Sequence, residues 1–371
     1  MIHRPMMFDY REYNGSLPTL SSNPYAYTKV ANSIFIDFPV GTGFSCATTV
    51  KTNHSNNLQA DDHAYQFLRK WLLVEHPEYL NYPFYVGGDS YSGVTVPIVT
   101  QVISDGIDAG IKPYIDLKGY ILGNPVTLIP DEDNYRIPFA HGMGLISDEL
   151  YQSLVANCGG EYNHIDPSNV LRSRDMRTFN WLRKGIVESH ILEPICDPVS
   201  VITRQSSYGS RRSLVDINNP ATLHGVKCRG EWFKLSEIWA NDDDVREALH
   251  FRKVSGVWEQ CRSNLPFTLN VNNTISYHAY LSTNLRSLIY SGDHDMKTPF
   301  ISTQVWIKSL NYSIVDDWRP WIVNGHVAGY TRSYSNRMTF ATLKGAGHTA
   351  PNWAPEECLA MLKRWLSNEA L

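Results

Sequence analysis

The stretch from Phe84 to Gly93 constrains this sequence most. Phe84-Tyr85-Val86-Gly87-Gly88 is a short apolar run of strand type, and from about Val94 a helical pattern begins, with Pro97 in its first turn. Only Asp89-Ser90-Tyr91-Ser92-Gly93 lies between them. Small residues at 88 and 92 let neighbouring backbone come close while Ser90 occupies a strained turn, its hydroxyl projecting above a sheet at a helix N-terminus. Taken alone, Gly-x-Ser-x-Ser reads equally well as an ordinary Gly-Ser turn.

Further units of the same kind flank this one. Ile34 to Phe38 reads as a strand ending in the turn Pro39-Val40-Gly41-Thr42-Gly43. Asp61 and Asp62 open a helix whose buried stripe is Ala64, Phe67, Leu68, Trp71 and Leu72 and which ends before Pro77. Tyr120 to Pro125 is a strand closed by a turn, Ser287 to Tyr290 another, and Met338 to Leu343 the last, leading into Gly345-Ala346-Gly347-His348. Thr298-Pro299 caps a helix, Asn324-Gly325 is a hairpin signal, and a terminal amphipathic helix carries Cys358, Met361, Leu362 and Trp365 on one side. Short apolar strands alternating with helices imply an α/β fold, a mostly parallel central sheet with helices on both faces. From 131 to 276 the strand signal fades. Helical stretches such as the one opened by Ser147-Asp148-Glu149, and the polar run Arg204 to Arg212, read as a cap inserted within one elaborated domain spanning 1–371. That polar run reads as a surface loop.

Charge and composition exclude some functions. A net charge of −4 and a pI near 6.3 supply no basic footprint for nucleic acid. No apolar run approaches a membrane span, and Met1 to Arg11 has no apolar core of a signal peptide. Six cysteines, at 46, 158, 196, 228, 261 and 358, form no metal-binding pattern, and no cofactor is expected. Sequons at Asn14, Asn53, Asn272 and Asn311 would suit a glycoprotein.

Two later features give the turn at Ser90 its chemistry. Gly292-Asp293-His294-Asp295 comes after one strand and His348 after the last, so Ser, Asp and His occur in the chain order of an α/β-hydrolase fold, each at a strand end. A hydroxyl is too weak an acid to attack unaided, so Ser90 needs His348 to take its proton. The imidazole needs a buried carboxylate to set its tautomer, a role assigned to Asp295 over its rival Asp293 because Asp295 lies further beyond the strand. Among thirteen histidines, position alone selects His348. The backbone N–H of Tyr91, the residue after the nucleophile, is one oxyanion donor, and a second normally comes from a glycine-rich loop after an earlier strand.

These residues resemble the serine carboxypeptidase-like family (peptidase S10), and most closely its plant acyltransferases. The matching stretches are Tyr13 to Pro18, Asp37 to Ser45, Gly88 to Gly93, Tyr290 to Asp295 and Lys344 to Pro351, and the likeness runs from about Met7 to the C-terminus. The resemblance implies an acyl-enzyme on Ser90. It would serve either transfer of an acyl group from a 1-O-glucose ester to an acceptor in secondary metabolism, or proteolysis from a peptide C-terminus. The peptidases typically carry Glu before the nucleophile, in a cluster that recognises the substrate carboxylate. Asp89 stands there in this chain and, with the wording of Asp37 to Phe44, implies the acyltransferase branch and a substrate-binding role. The resemblance also pairs Cys196 with Cys228, a bridge contributing roughly 2–4 kcal/mol, and leaves Cys46, Cys158, Cys261 and Cys358 as thiols, Arg172 standing where the partner of Cys158 would be. The family's W-x-N-G-G-P-G loop, its first strands and its signal peptide would precede Met7. The chain is therefore expected to be N-terminally truncated, and a catalytically impaired product with a binding role or none is the competing reading. Secreted or vacuolar localisation rests on the resemblance alone.

Overall fold

The computed structural model describes residues 4–9, 13–47, 54–163, 168–195, 229–251 and 256–371. Asn53, Cys196, Cys228 and the Arg204 to Arg212 run lie outside the described residues.

A two-stranded antiparallel ribbon opens the fold, β1 (Met6–Phe8) against β2 (Leu20–Ser22), and β3 (Ser55–Asn56) and α1 (Asn57–Lys70) come next. The helix begins a turn earlier than Asp61 predicts, because the Asn56 side chain accepts the N–H of Gln59 at 3.0 Å and supplies the cap. Asp61 thereby falls on the buried face with Ala60, Ala64 and Leu68. The expected strand at Ile34 to Phe38 does not form. The segment joins no ladder among the described residues, and Ile34, Phe35 and Ile36 stay 36%, 53% and 39% exposed. β-propensity organises a strand only where a neighbouring strand takes its backbone hydrogen bonds, and among the described residues no strand does so here.

From β4 (Phe84–Asp89) the chain passes into α2 (Ser92–Asp108), then β5 (Leu117–Gly123). α2 starts at Ser92, which puts Pro97 in the second turn rather than the first. A proline there cannot donate to the Gly93 carbonyl one turn back. The buried Thr274 hydroxyl donates to that oxygen instead, at 2.8 Å.

The predicted insertion contributes α3 (Arg136–Gly142), α4 (Asp148–Cys158), α5 (Val170–Leu182), α6 (Arg229–Ala240), α7 (Asp243–Ala248) and the short β6 (Phe267–Thr268). Ser147 does cap α4, accepting from the N–H of Leu150. Phe139, Leu154, Met176 and Phe179 from this region pack with Met296 as a core of their own. After α8 (Ile275–Leu281) come β7 (Arg286–Gly292), α9 (Phe300–Ser309), β8 (Ile314–Val323), β9 (His326–Tyr334), β10 (Met338–Leu343) and α10 (Pro355–Leu366).

Six strands form the central sheet in the order β4-β5-β7-β10-β9-β8. The first four run parallel, and the β8–β9 hairpin closes antiparallel against β10. Asn324 and Gly325 take left-handed φ values of 49° and 79°, the conformation a two-residue hairpin turn demands. Alternation along the strands sorts the two faces. Leu288, Tyr290, Ala341 and Leu343 meet Cys358, Met361 and Trp365 of α10. Tyr120, Leu122, Ile289, Met338 and Phe340 point the other way, onto Val96, Leu281 and Trp306 from α2, α8 and α9. The sheet is mostly parallel with both faces covered.

One buried group opposes this packing. Asp61 has no exposed surface and neither carboxylate oxygen has a hydrogen-bond partner among the described residues. Burial pushes its pKa up to about 8. The unfolded chain releases this proton near pH 4 while the folded chain holds it to about pH 8, so between those values folding takes up a proton and stability falls as pH rises. We predict that Asp61→Asn gains roughly a few kcal/mol over the parent at pH 8 and little at pH 4, read by urea unfolding across that range; a constant difference would remove Asp61 as the titrating group.

Candidate active site

Strand register decides where the polar side chains meet. Asp89 of β4 lies opposite Gly123 of β5, Gly123 opposite Tyr290 of β7, and Gly292 opposite Leu343 of β10. The parallel strands therefore end level, and the loop residues just beyond their ends, Ser90, Asn124, Asp295 and His348, gather along one edge.

Ser90 sits in the turn between β4 and α2 with φ +59°, a left-handed value that is costly for a residue with a β-carbon. Several backbone hydrogen bonds hold it there. Its N–H donates to Gly123 O at 2.9 Å, and its carbonyl accepts from Gly93 N at 3.0 Å and Val126 N at 2.9 Å. The glycines are required by contact: a β-carbon at Gly88 would stand 2.4 Å from the Ser92 side chain, and one at Gly93 2.3 Å from Val126 O.

The three residues singled out from chain order are brought together. His348 Nε2 lies 2.6 Å from Ser90 Oγ, and its Nδ1 lies 2.7 Å from Asp295 Oδ2. Asp295 is fully buried and His348 is 9% exposed. With a carboxylate on Nδ1, that nitrogen carries the proton, leaving Nε2 to accept from the Ser90 hydroxyl. The Asp295 charge is met on all sides. Oδ1 accepts from Lys297 N at 2.8 Å and Thr298 N at 3.2 Å, and Oδ2 accepts from Asn124 Nδ2 at 2.8 Å as well as from the imidazole.

Asp293, the rival, faces elsewhere. Its carboxylate accepts from Gly345 N at 2.7 Å and bonds His294 Nδ1 at 2.5 Å, which ties the β7 loop to the loop carrying His348. The 187–193 segment backs the same loop. His348 N–H donates to Ser189 O at 2.6 Å, and the His190 ring lies tilted against Trp353 with centroids 4.0 Å apart while its Nε2 bonds Gly345 O.

Tyr91 occupies the N-cap position of α2, where a residue's N–H has no partner within the helix. Its hydroxyl accepts from Asn57 Nδ2 at 2.7 Å. Asp89, half-buried at the end of β4, lies close to Tyr27, Tyr290 and Cys358; burial raises the pKa of all three, and the Asp89 charge adds to that. These neighbours therefore stay neutral around it.

Sequence reading missed Asn124 and Glu132. Asn124-Pro125 signalled only a turn, and nothing in it pointed to Asp295. Glu132 is buried and accepts from Thr127 N and Leu128 N, which pins the loop that supplies Asn124 and Val126. Burial outweighs those two bonds and lifts its pKa to about 7. Cys46, Cys158, Cys261 and Cys358 are free thiols, with the charge of Arg172 acting on Cys158. Asn14, Asn272 and Asn311 are exposed. Among the described residues no cluster of three or more His, Cys, Asp or Glu side chains could hold a metal ion, and no helix is long and apolar enough to cross a membrane.

Comparison with known proteins locates this arrangement. The serine carboxypeptidase family model matches residues 8–368. Serine carboxypeptidase-like 19 of Arabidopsis thaliana is 46% identical over 374 residues, covering 99% of this chain and 80% of that protein. Serine carboxypeptidase-like 10 of the same plant is 47% identical over 369 residues, with 99% and 79% covered. Among solved structures, Kex1(Δ)p, a prohormone-processing carboxypeptidase from Saccharomyces cerevisiae, superposes with a TM-score of 0.68 at 17% identity over 98% of this chain and 78% of that one, a likeness of fold.

The amide of Asn124 is the partner of Asp295 whose removal leaves the backbone free to keep its left-handed φ of 43° if glycine replaces it. We predict that Asn124→Gly slows fluorophosphonate labelling of Ser90 by about 10- to 100-fold, the scale of one hydrogen bond to a charged group; an unchanged rate would mean that the imidazole is oriented without it.

Proposed function

The chain belongs to the serine carboxypeptidase family, and on that premise we propose that it is an acyl-transferring enzyme working through a covalent intermediate on Ser90. The supporting observation is the continuous hydrogen-bonded path from Ser90 Oγ through His348 to buried Asp295. In this reading Ser90 Oγ attacks the carbonyl carbon of an ester or peptide as its proton passes to His348 Nε2. Asp295 stabilises the imidazolium, and the backbone N–H of Tyr91 donates to the oxyanion. The intermediate collapses as His348 returns the proton to the leaving group, leaving the acyl chain on Ser90. An acceptor hydroxyl or amine, or water, then gives its proton to His348 as it attacks the acyl carbon, and His348 passes that proton to Ser90 Oγ as the acyl–oxygen bond breaks, restoring the hydroxyl.

Of the two outcomes, transfer from a 1-O-glucose ester to an acceptor is the one we favour over release of a C-terminal residue. Asp89 supports it, standing where the family's peptidases typically carry Glu, one carbon longer. Its half-buried carboxylate among neutral phenols is suited to accepting hydrogen bonds from a polar group of the donor. Exposed sequons at Asn14, Asn272 and Asn311, and the family resemblance, support a glycosylated protein of the secreted or vacuolar route. A bridge between Cys196 and Cys228 belongs to the same reading.

The test sets the two substrates against each other. Purified protein with an acyl-glucose and an acceptor should yield acylated acceptor and free glucose, with little amino acid released from a blocked dipeptide. Ser90→Ala should abolish turnover, a loss on the order of 10⁶-fold. Dipeptide cleavage without transfer would reassign the chain to peptide hydrolysis.

A further inference from the structure

A fully buried side chain near the nucleophile turn has no part in the proton path and yet touches the residue proposed to hold the oxyanion. Asn57 opens α1 with no exposed surface. Its amide nitrogen donates to the Tyr91 hydroxyl at 2.7 Å, and its amide oxygen accepts from Asn270 N at 2.9 Å and Val271 N at 3.3 Å. One side chain thus joins three pieces of chain: the start of α1, the turn at Ser90, and the segment just after β6. The β3–β6 ladder pairs Asn56 with Thr268, which holds the two chain segments together next to this bond.

The geometry of the 90–91 peptide makes this contact consequential. Its carbonyl is held by two donors, Gly93 N and Val126 N, that converge on a single oxygen. Bonds meeting at one atom leave rotation about that atom, and such rotation would swing the N–H of Tyr91 at the opposite side of the peptide. Ser90 N–H on Gly123 O and Val94 N–H on Tyr91 O limit that rotation from the backbone, and the Tyr91 side chain, its hydroxyl held by Asn57, limits it from the far side. Donors to an oxyanion act by being fixed before charge develops, so a small loss of direction costs rate and not ground-state binding.

We propose that Asn57 is a positioning residue that aims the Tyr91 N–H at the reacting carbonyl through the Tyr91 hydroxyl, tying the oxyanion site to the segment 270–271. The proposal rests on the acyl-enzyme reading above. Two substitutions approach the bond from opposite ends: Tyr91→Phe deletes one oxygen and keeps the backbone donor, and Asn57→Ala deletes the amide. Asn57→Asp keeps a side chain of the same shape that accepts from Asn270 N, Val271 N and the Tyr91 O–H.

The experiment measures fluorophosphonate labelling of Ser90, and kcat and KM for hydrolysis of a simple activated ester. Tyr91→Phe and Asn57→Ala should each fall about three- to tenfold in labelling rate and kcat, the scale of one hydrogen bond, with KM unchanged. The double variant should fall no further than the slower single, and Asn57→Asp should retain a rate near the parent's. Parent-like labelling in Tyr91→Phe, losses that multiply in the double variant, or a change confined to KM would overturn it. Should Asn57→Ala fail to fold, Tyr91→Phe and Asn57→Asp still decide the matter. A parent chain that the probe does not label at all would sink the acyl-enzyme reading itself, an outcome separate from these.

Discussion

A carboxylate with no exposed surface, at the end of β7, is the constraint around which this edge of the molecule is arranged. A buried charge without partners costs several kcal/mol or more, and would instead take up a proton. Asp295 has partners in two backbone N–H groups, the Asn124 amide and the His348 imidazole. Asp61 shows the opposite case. The same side chain, equally buried but without a hydrogen-bond partner among the described residues, holds its proton to about pH 8. Depth is the same in both; what differs is the hydrogen bonding around them.

The arrangement depends on strands that end level. Parallel pairing of β4, β5, β7 and β10 brings the loops after them to one side, as in open α/β sheets generally. Each loop is then fixed by its neighbours: Ser90 through Gly123 and Val126, the loop of Val126 through Glu132, and the histidine loop through Asp293 and Ser189. Gly88, packed against the Ser92 side chain, and Gly93, packed against the Val126 backbone, leave room for the turn in which Ser90 holds a left-handed conformation with its hydroxyl 2.6 Å from the imidazole.

Elements that announce themselves locally matched the expectation from sequence. The last strand has the expected bounds, the Asn324-Gly325 turn closes a hairpin, Ser147 caps its helix, and Cys358, Met361, Leu362 and Trp365 are the buried stripe of α10. The departures occurred where a neighbour decides. Asn56 captured the helix start from Asp61; α2 tolerated Pro97 in its second turn because Thr274, far along the chain, takes the released carbonyl; and Ile34 to Phe38 found no strand to pair with among the described residues.

Chain order and strand-end position were enough to single out Ser90, Asp295 and His348, since covalent order places a turn after each apolar run and a parallel sheet brings such turns to one side. The apolar pattern was enough to predict two covered sheet faces, because it is a local property of each strand. From sequence, the preference for Asp295 over Asp293, two residues apart with the same chemistry, rested on distance past the strand alone; the tertiary structure gives them different partners, turning one toward the imidazole and the other toward Gly345. It alone brought Asn124 to Asp295 and Asn57 to Tyr91, contacts across 171 and 34 positions of chain. An asparagine's partners are set by the groups the fold carries within hydrogen-bonding reach of it, and no pattern of neighbouring residues records that.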